Sequence, residues 1–190
     1  MTRLVLLGPP GAGKGTQAAR LAATLSVPAV STGDIFRRNV TEGTELGVTA
    51  KSYMDAGEYV PDSVTNAMVA DRLAEADATD GFLLDGYPRT ADQVVELDRM
   101  LQAQGASLDH VAEITVDTDE VVARLLKRSA DQGRSDDTET VVRHRMDVYA
   151  EQTAPLALLY AQRGLLVQVD GMGAVDDVTA RLLTALGREA

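Results

Sequence analysis

Residues 8–16 decide the fold class, and they read Gly8-Pro9-Pro10-Gly11-Ala12-Gly13-Lys14-Gly15-Thr16. The apolar run Leu4 to Leu7 precedes this loop, and a helical pattern from Gln17 to Leu25 follows it. In that context, glycines let successive main-chain N–H groups turn toward an anion, and the lysine adds a point charge for the outer phosphates. The stretch therefore predicts a phosphate-binding loop. Gly15 occupies the position where the general motif has a hydroxyl, and Thr16 follows it, so the sequence lacks the hydroxyl that usually binds magnesium directly at that position.

Short apolar runs alternate with helical patterns along the rest of the chain. The runs are Leu4 to Leu7, Val27 to Val30, Phe82 to Leu84, Val111 to Val116 and Leu165 to Val169. This alternation is typical of βαβ units, and it predicts an α/β fold with a five-stranded parallel sheet and helices on both faces. A helical period also puts two sets of residues on core-facing stripes. These sets are Val94, Leu97 and Leu101, and Val175, Val178, Leu182 and Leu186.

Two segments interrupt the alternation. One spans about 31–61 and carries Gly33, Gly43, Gly47, Gly57 and Pro61; the other is the polar stretch Ser129 to Asp137. Both are predicted to be insertions that move relative to the sheet.

Composition restricts the possible classes of protein. The chain has 190 residues, 45% of them hydrophobic, with 29 acidic and 18 basic side chains, a net charge of −11 and no cysteine. That length and composition fit one ordinary globular domain, and they exclude disulfides and a cysteine zinc site. The negative charge argues against nonspecific binding to nucleic acid or to an anionic membrane. No apolar run approaches the roughly 18 residues of a spanning helix, and the first one is too short for a signal peptide, so we expect a cytosolic protein.

A second motif follows the strand at 82–84, reading Asp85-Gly86-Tyr87-Pro88-Arg89. Ligands sit at the carboxyl ends of strands in open α/β sheets, so Asp85 could orient a metal-bound water there. The alternative is that Asp85 only caps the next turn. Arg89 follows a rigid proline, and it is a candidate clamp for a second phosphate group.

Arginines form a third cluster, late in the chain. Arg124 and Arg128 are spaced i, i+4 on one helical face, where two like charges repel each other unless an anion joins them. The alternative is a solvated face neutralised by nearby aspartates, which we favour for Arg143. Those aspartates are Asp131, Asp136 and Asp137. His110 and His144 are assigned no catalytic role.

Taken together, these motifs resemble the adenylate kinase family over about Leu4 to Leu186. The matching residues are the loop Gly8 to Thr16, Ser31-Thr32-Gly33-Asp34 with Arg37, Asp85 to Arg89, Gln93, Arg128, Gly133-Arg134-Ser135-Asp136-Asp137 and Arg145. The short spacing between Arg124-Leu125-Leu126-Lys127-Arg128 and residues 133–137 is similar to members with a short lid, which lack the longer zinc-binding insertion. The absence of cysteine agrees with that, and no structural zinc is expected.

The resemblance implies a three-layer P-loop NTPase fold with one domain over 1–190, a mobile AMP-binding segment at 31–60 and a short lid at 129–135. It implies reversible phosphoryl transfer from MgATP to AMP, giving two ADP, by a monomer that serves adenine nucleotide homeostasis. Such transfer needs positioning and charge stabilisation, with no serine or cysteine nucleophile. Mg²⁺ is expected to be held mainly by nucleotide phosphates and water, near Thr16 and Asp85.

The resemblance also implies three sets of site residues, carried over position by position. The ATP-binding set is Gly11, Ala12, Gly13, Lys14, Gly15, Thr16, Arg124, Arg128 and Gly173. The AMP-binding set is Thr32, Arg37, Glu58, Tyr59, Val60, Gly86, Tyr87, Pro88, Arg89, Gln93, Arg134 and Arg145. The catalytic set is Lys14, Arg89, Arg128, Arg134 and Arg145.

Two rival functions remain at this point. A kinase acting on UMP, CMP or GMP would use the same phosphate clamps, but pyrimidine-specific relatives typically carry alanine at the position of Thr32. A P-loop nucleotide switch of the GTPase type would carry an Asn-Lys-x-Asp motif after a late strand, and the sequence has none. We therefore prefer AMP as the acceptor.

Overall fold

The structure is a computed structural model, and it describes residues 2–117, 120–121, 124–125 and 138–188. The predicted lid at 129–135, together with Arg128 and Arg134, lies outside these described residues.

Five strands and eight α-helices are described. In chain order they are β1 (Arg3–Leu7), α1 (Lys14–Leu25), β2 (Ala29–Ser31), α2 (Thr32–Glu42), α3 (Glu45–Ala56), α4 (Asp62–Leu73), β3 (Phe82–Asp85), α5 (Ala91–Ala103), β4 (His110–Thr115), α6 (Glu139–Val148), α7 (Pro155–Gln162), β5 (Leu166–Asp170) and α8 (Val175–Ala185). A π-helical turn, Tyr149–Thr153, joins α6 to α7. Each predicted apolar run overlaps one strand, with ends that differ by one or two residues.

The strands form one parallel sheet in the order β2-β3-β1-β4-β5. β1 is central, and it pairs with β3 on one side and β4 on the other. Leu6 of β1 lies beside Asp85 of β3 in this register, so the glycine loop and the Asp85 turn leave the sheet at neighbouring points. Ligand sites of open α/β sheets lie at this carboxyl edge. The α/β fold with a five-stranded parallel sheet is confirmed.

Two apolar cores cover the two faces of the sheet. Alternate residues of β1 separate between them, because side chains along a strand point to opposite faces: Val5 and Leu7 pack with α4, α5 and α7, while Leu4 and Leu6 pack with α1 and α8. The predicted stripe on α5 is buried. The stripe on α8 begins one turn later than predicted, since Val175 is 43% exposed.

The segment after β2 forms a helical hairpin of α2 and α3. Side-chain hydroxyls cap both helices, Ser31 accepting from the Asp34 N–H and Thr44 from the Gly47 N–H. Phe36, Ala50 and Val60 form the centre of a small core of its own. The predicted insertion at 31–60 is therefore a packed helical unit attached beside the sheet, and its mobility stays a prediction.

The π-helical turn interrupts what would otherwise be one long helix from α6 to α7. The Ala154 N–H donates to the Tyr149 carbonyl oxygen at 2.9 Å, which is an i to i+5 hydrogen bond. Turns of this kind add one residue to a helix and are frequent at functional sites. Here the turn buries Thr153, which is 5% exposed, against the Asp85 to Arg89 motif and its neighbours.

No described helix combines the length and the apolar character needed to cross a membrane.

Candidate active site

The glycine loop between β1 and α1 has the backbone that its sequence predicts. Gly11 and Gly13 have φ of 83° and 88°, a region that favours glycine. A Cβ added at Gly8 would lie 2.7 Å from the Ile114 carbonyl oxygen, so the loop crosses β4 too closely for a side chain. Lys14 Nζ donates to the carbonyl oxygens of Gly8 and Pro9, at 2.6 and 2.9 Å, and thus lies folded over the loop.

A polar cavity, here called the loop cavity, opens on this loop. Its lining includes Gly11, Gly13, Lys14, Gly15 and Thr16 from the predicted ATP-binding set. Asp85 also lines it, and a Cβ added at Gly15 would lie 3.6 Å from Asp85 Oδ2. The missing side chain of Gly15 therefore keeps the space between the loop and this carboxylate open.

A second cavity lies between the sheet edge and the helical hairpin, here called the α2–α3 cavity. It is lined by ten of the twelve residues predicted to bind AMP: Thr32, Arg37, Glu58, Tyr59, Val60, Gly86, Pro88, Arg89, Gln93 and Arg145. Residues far apart in sequence thus line one space.

The two cavities share a wall of positive charge. Lys14, Arg37, Arg89 and Arg145 line both of them. They come from four elements of the fold: α1, α2, the turn before α5, and α6. Cations in a concave, partly desolvated site stabilise the spread negative charge of a phosphoryl group, so the shared wall suits two phosphate-bearing ligands that meet there.

The polar residues of the α2–α3 cavity are held by hydrogen bonds. Thr32 is 2% exposed, and its hydroxyl donates to the Gly86 carbonyl oxygen at 2.9 Å. Gln93 Oε1 accepts from the Arg89 N–H at 2.7 Å, and Gln93 Nε2 donates to Asp62 Oδ1 at 2.6 Å. A main-chain N–H can only donate and a carboxylate can only accept, so these two bonds fix which way the amide faces.

Three predicted site residues lie away from both cavity walls. The Ala12 side chain is buried in the core on the α1 face, which leaves only its main chain toward the loop. Tyr87 is fully buried, and its hydroxyl donates to Asn66 Oδ1 at 2.8 Å. Gly173 is exposed after β5, with φ of 100°. Their contact with a nucleotide stays a prediction.

Arg124 lines the loop cavity beside Leu125. Its Nε donates to Glu120 Oε1 at 3.1 Å, and its Nη2 lies 3.9 Å from Met172 Sδ, in the loop that carries Gly173. The structure therefore brings Arg124 and the Gly173 loop together at one end of the loop cavity.

Arg143 and His144 make contacts that the sequence did not predict in detail. Arg143 pairs with Glu139 one turn earlier on α6, and both side chains are exposed, as the solvated-face interpretation expects. The three aspartates considered from the sequence lie outside the described residues. His144 Nε2 lies 2.6 Å from Glu58 Oε1, so α6 also contacts the end of the helical hairpin.

Sequence reasoning missed several residues that line the α2–α3 cavity. They are Phe36, Met54, Thr65, Tyr149 and Thr153, besides the strand and loop residues at its floor. Burial raises the pKa of the Tyr149 hydroxyl well above its usual value, so this group stays neutral and adds no charge beside the cations. One available signal was Pro155, which ends the preceding helical pattern and marks a break close to Thr153.

Comparison with known proteins agrees with the geometry. The family model of adenylate kinase matches residues 6–165. Adenylate kinase of Kocuria rhizophila is 61% identical over 188 residues, covering 99% of this chain and all of that protein. Adenylate kinase of a Nocardioides species is 63% identical over 184 residues, covering 97% of this chain and 96% of that protein, and that of Thermobifida fusca is 58% identical over 188 residues. The chain therefore belongs to the adenylate kinase family of phosphotransferases.

Proposed function

We propose that this enzyme transfers the terminal phosphoryl group of ATP to AMP, reversibly, giving two molecules of ADP. The observation that carries the proposal is the wall of four cations, Lys14, Arg37, Arg89 and Arg145, which lines both cavities. ATP along the glycine loop and AMP in the α2–α3 cavity would direct their phosphates to this wall from opposite sides. Transfer then needs alignment and charge stabilisation more than covalent chemistry by the protein.

Lys14 would hold the outer phosphates of ATP together with the N–H groups of the loop. Arg89 would hold the phosphate of AMP, since it follows the Gly86 turn and contacts the α2–α3 cavity. Arg37, from α2, approaches the same phosphate from the helical hairpin, and Arg145 approaches from α6. Arg128, just before the lid segment at 129–135, and Arg134, within it, are proposed to complete the set from the lid side.

Magnesium fits the loop cavity chemically. Asp85 and Thr16 both line that cavity and offer the oxygen ligands that magnesium prefers. Among the described residues, no three His, Asp or Glu side chains cluster as a metal site, so we propose that phosphate oxygens and water supply most of the ligands. The ion would neutralise phosphate charge, while Asp85 orients its water. We propose no structural zinc.

We propose that the functional unit is a monomer, as the resemblance to the family implies. We propose that it acts in the cytoplasm, in the interconversion of ATP, ADP and AMP, with no nucleic acid or membrane partner.

The first test is the choice of acceptor. The pure protein is incubated with MgATP alone and then with AMP, CMP, UMP or GMP, and the nucleotides are separated. We expect rapid formation of ADP only with AMP and very little with ATP alone, because closure of the site excludes water. Fast transfer to a pyrimidine nucleotide would overturn AMP as the acceptor, and slow hydrolysis that ignores every acceptor would overturn the kinase reaction itself.

The second test is Arg89→Ala. Loss of a cation that stabilises the transferring group is expected to lower kcat with AMP by about 100-fold, by analogy with removal of one oxyanion donor. ATP affinity, measured by calorimetric titration, should stay near the wild-type value because Lys14 and the loop are intact. An unchanged rate with AMP would overturn the role of Arg89.

A further inference from the structure

Three contacts hold Arg89, two of them through its side chain. Its Nε donates to the Gly86 carbonyl oxygen at 2.7 Å, its main-chain N–H donates to Gln93, and its Cζ lies 4.8 Å from the centroid of the Tyr59 ring. That last distance is within the range of a cation–π interaction. Tyr59 precedes α4, on the helical hairpin side of the cavity, so its ring reaches Arg89 across the α2–α3 cavity.

Tyr59 is itself anchored, through Thr153 of the π-helical turn. The two hydroxyl oxygens lie 2.7 Å apart, and Thr153 Oγ1 donates to the Arg89 carbonyl oxygen at 2.8 Å. A hydroxyl has one proton to donate, so Thr153 must be the acceptor in its bond with Tyr59. The contacts therefore form a closed cycle. Tyr59 donates to Thr153, Thr153 donates to the main chain of Arg89, and the Arg89 guanidinium lies against the aromatic ring of Tyr59.

This arrangement is compatible with phosphate binding by Arg89. A guanidinium that packs with its face on an aromatic ring keeps all of its N–H groups at its edge. One of these groups, at Nε, is directed to Gly86. Nη1 and Nη2 have no hydrogen-bond partner within the part of the chain that the structure describes, and their edge can form a bidentate bond to phosphate. Holding the side chain in advance reduces the rotamer entropy that an arginine would lose on binding.

We propose that Tyr59 and Thr153 are positioning residues. The Tyr59 ring and the Thr153 hydroxyl fix the orientation of Arg89 toward the phosphate of the acceptor nucleotide. The proposal rests on the function proposed above for Arg89. It adds a coupling between two elements. The contacts of Arg89 with Tyr59 and Thr153 form only when the connection after α3 lies against the π-helical turn. The position of the AMP-binding segment therefore determines whether Arg89 is held in its phosphate-binding orientation.

Steady-state kinetics with Tyr59→Leu and Tyr59→Phe test the ring. Tyr59→Leu removes the aromatic face, and we expect kcat/KM for AMP to fall about threefold to tenfold, the usual range of a partly desolvated cation–π contact. KM for ATP should stay at the wild-type value. Tyr59→Phe keeps the ring and loses only the anchor, so its loss should be smaller. Tyr53→Leu is the matched control, because Tyr53 lies on the exposed side of α3 and should show no change.

Thr153→Val and Thr153→Ser test the anchor. Valine removes both hydrogen bonds in a side chain of similar shape, and it should lower kcat/KM for AMP with little effect on KM for ATP. Serine restores the hydroxyl and should recover most of that loss. Melting temperatures show whether each variant is folded under assay conditions. Equal losses in Thr153→Val and Thr153→Ser would overturn the role of the hydroxyl.

A double-mutant cycle with Arg89→Ala separates positioning from direct contact. If Tyr59 acts through Arg89, adding Tyr59→Leu to Arg89→Ala causes no further loss of kcat/KM for AMP. The same loss in both backgrounds would overturn the proposal, because Tyr59 would then act independently of Arg89. A slow Arg89→Ala enzyme with an unaffected Tyr59→Leu enzyme would overturn only this inference. A normal Arg89→Ala enzyme would overturn the function proposed for Arg89, and the inference with it.

Discussion

Tyr87 and Tyr160 are both fully buried in the core that packs against α4, α5 and α7, yet their hydroxyls differ in hydrogen bonding. Tyr87 Oη donates to Asn66 Oδ1 at 2.8 Å, with the Gln93 carbonyl oxygen 3.3 Å away. Among the described residues, Tyr160 Oη has no hydrogen-bond partner. A buried hydroxyl without a partner loses its hydration and gains nothing in exchange.

The difference predicts opposite effects of the same substitution. Tyr160→Phe should raise the free energy of unfolding by about 1 kcal/mol, because it removes an unpaired polar group and keeps the ring that Arg163 packs on. Tyr87→Phe should lower that free energy by about 1 kcal/mol, because it leaves Asn66 without its donor. Urea unfolding at pH 7 measures both. If Tyr160→Phe destabilises the protein as much as Tyr87→Phe does, the unpaired hydroxyl is not a cost to folding.

Gln93 illustrates what sequence could and could not predict about single residues. Its assignment to the AMP-binding set followed from the resemblance to the family. Its orientation did not, because Asp62 receives the Gln93 amide from 31 residues away in the chain, and the same carboxylate also accepts from the Thr90 hydroxyl. Such a contact depends on how the start of α4 packs against the start of α5, which no local pattern reports.

At the scale of elements, α2 and α3 approach each other closely at Gly47. A Cβ added there would lie 2.1 Å from the Asn39 carbonyl oxygen, so α2 and α3 touch through their backbones. Thr44 holds the two helices together at the same point. Its hydroxyl donates to Asn39 Oδ1 at 2.8 Å and accepts from the Gly47 N–H. The crossing fixes where α2 carries Arg37 relative to the end of α3.

Gly47→Ala is therefore expected to force the two helices apart. Overpacking of this kind costs about 1–3 kcal/mol, and here the cost falls on the small core of Phe36, Ala50 and Val60. We expect a lower melting temperature and a higher KM for AMP, with KM for ATP near the wild-type value, because the glycine loop proposed to hold ATP lies between β1 and α1. Val48→Ala is the control, since Val48 is 69% exposed on the same helix. A KM for AMP that stays normal would contradict this account of the hairpin.

The elements themselves were largely predictable, with one exception. Buried strands and amphipathic helices follow from local periodicity, and each of the five strands was found within one or two residues. The π-helical turn was not found: Pro155 marks a break in the helical pattern, but nothing within Tyr149 to Thr153 distinguishes a π-helical turn from an ordinary helix end. Its extra residue is stabilised by long-range contacts of Thr153 with Tyr59 and Arg89, which are 94 and 64 residues away.

At the scale of the whole molecule, the site is assembled where four elements bring cations to one wall. Lys14 and Arg89 were predicted from their motifs, whereas the resemblance to the family implied Arg37 and Arg145. The proximity of all four depends on strand order. Because β1 lies between β3 and β4, the glycine loop leaves the sheet beside the turn that carries Arg89. The residues of the site could therefore be predicted from the sequence, but their proximity depends on the strand order of the sheet.

Whole-molecule stability should also depend on alkaline pH through the buried tyrosines. Burial raises the pKa of Tyr87, Tyr149 and Tyr160 above the ordinary value of 10.0. For groups with a raised pKa in the folded state, the contribution to stability is fully present below the unfolded pKa and falls as the pH rises above it. We expect the free energy of unfolding, measured with urea between pH 8 and pH 11, to change little through these groups until about pH 10 and then to decline. To separate the tyrosines from any other group that titrates in this range, the informative quantity is the difference from Tyr87→Phe/Tyr160→Phe, which should lose stability less steeply above pH 10. Parallel profiles for the two proteins would mean that these tyrosines ionise equally easily in the folded and unfolded chains.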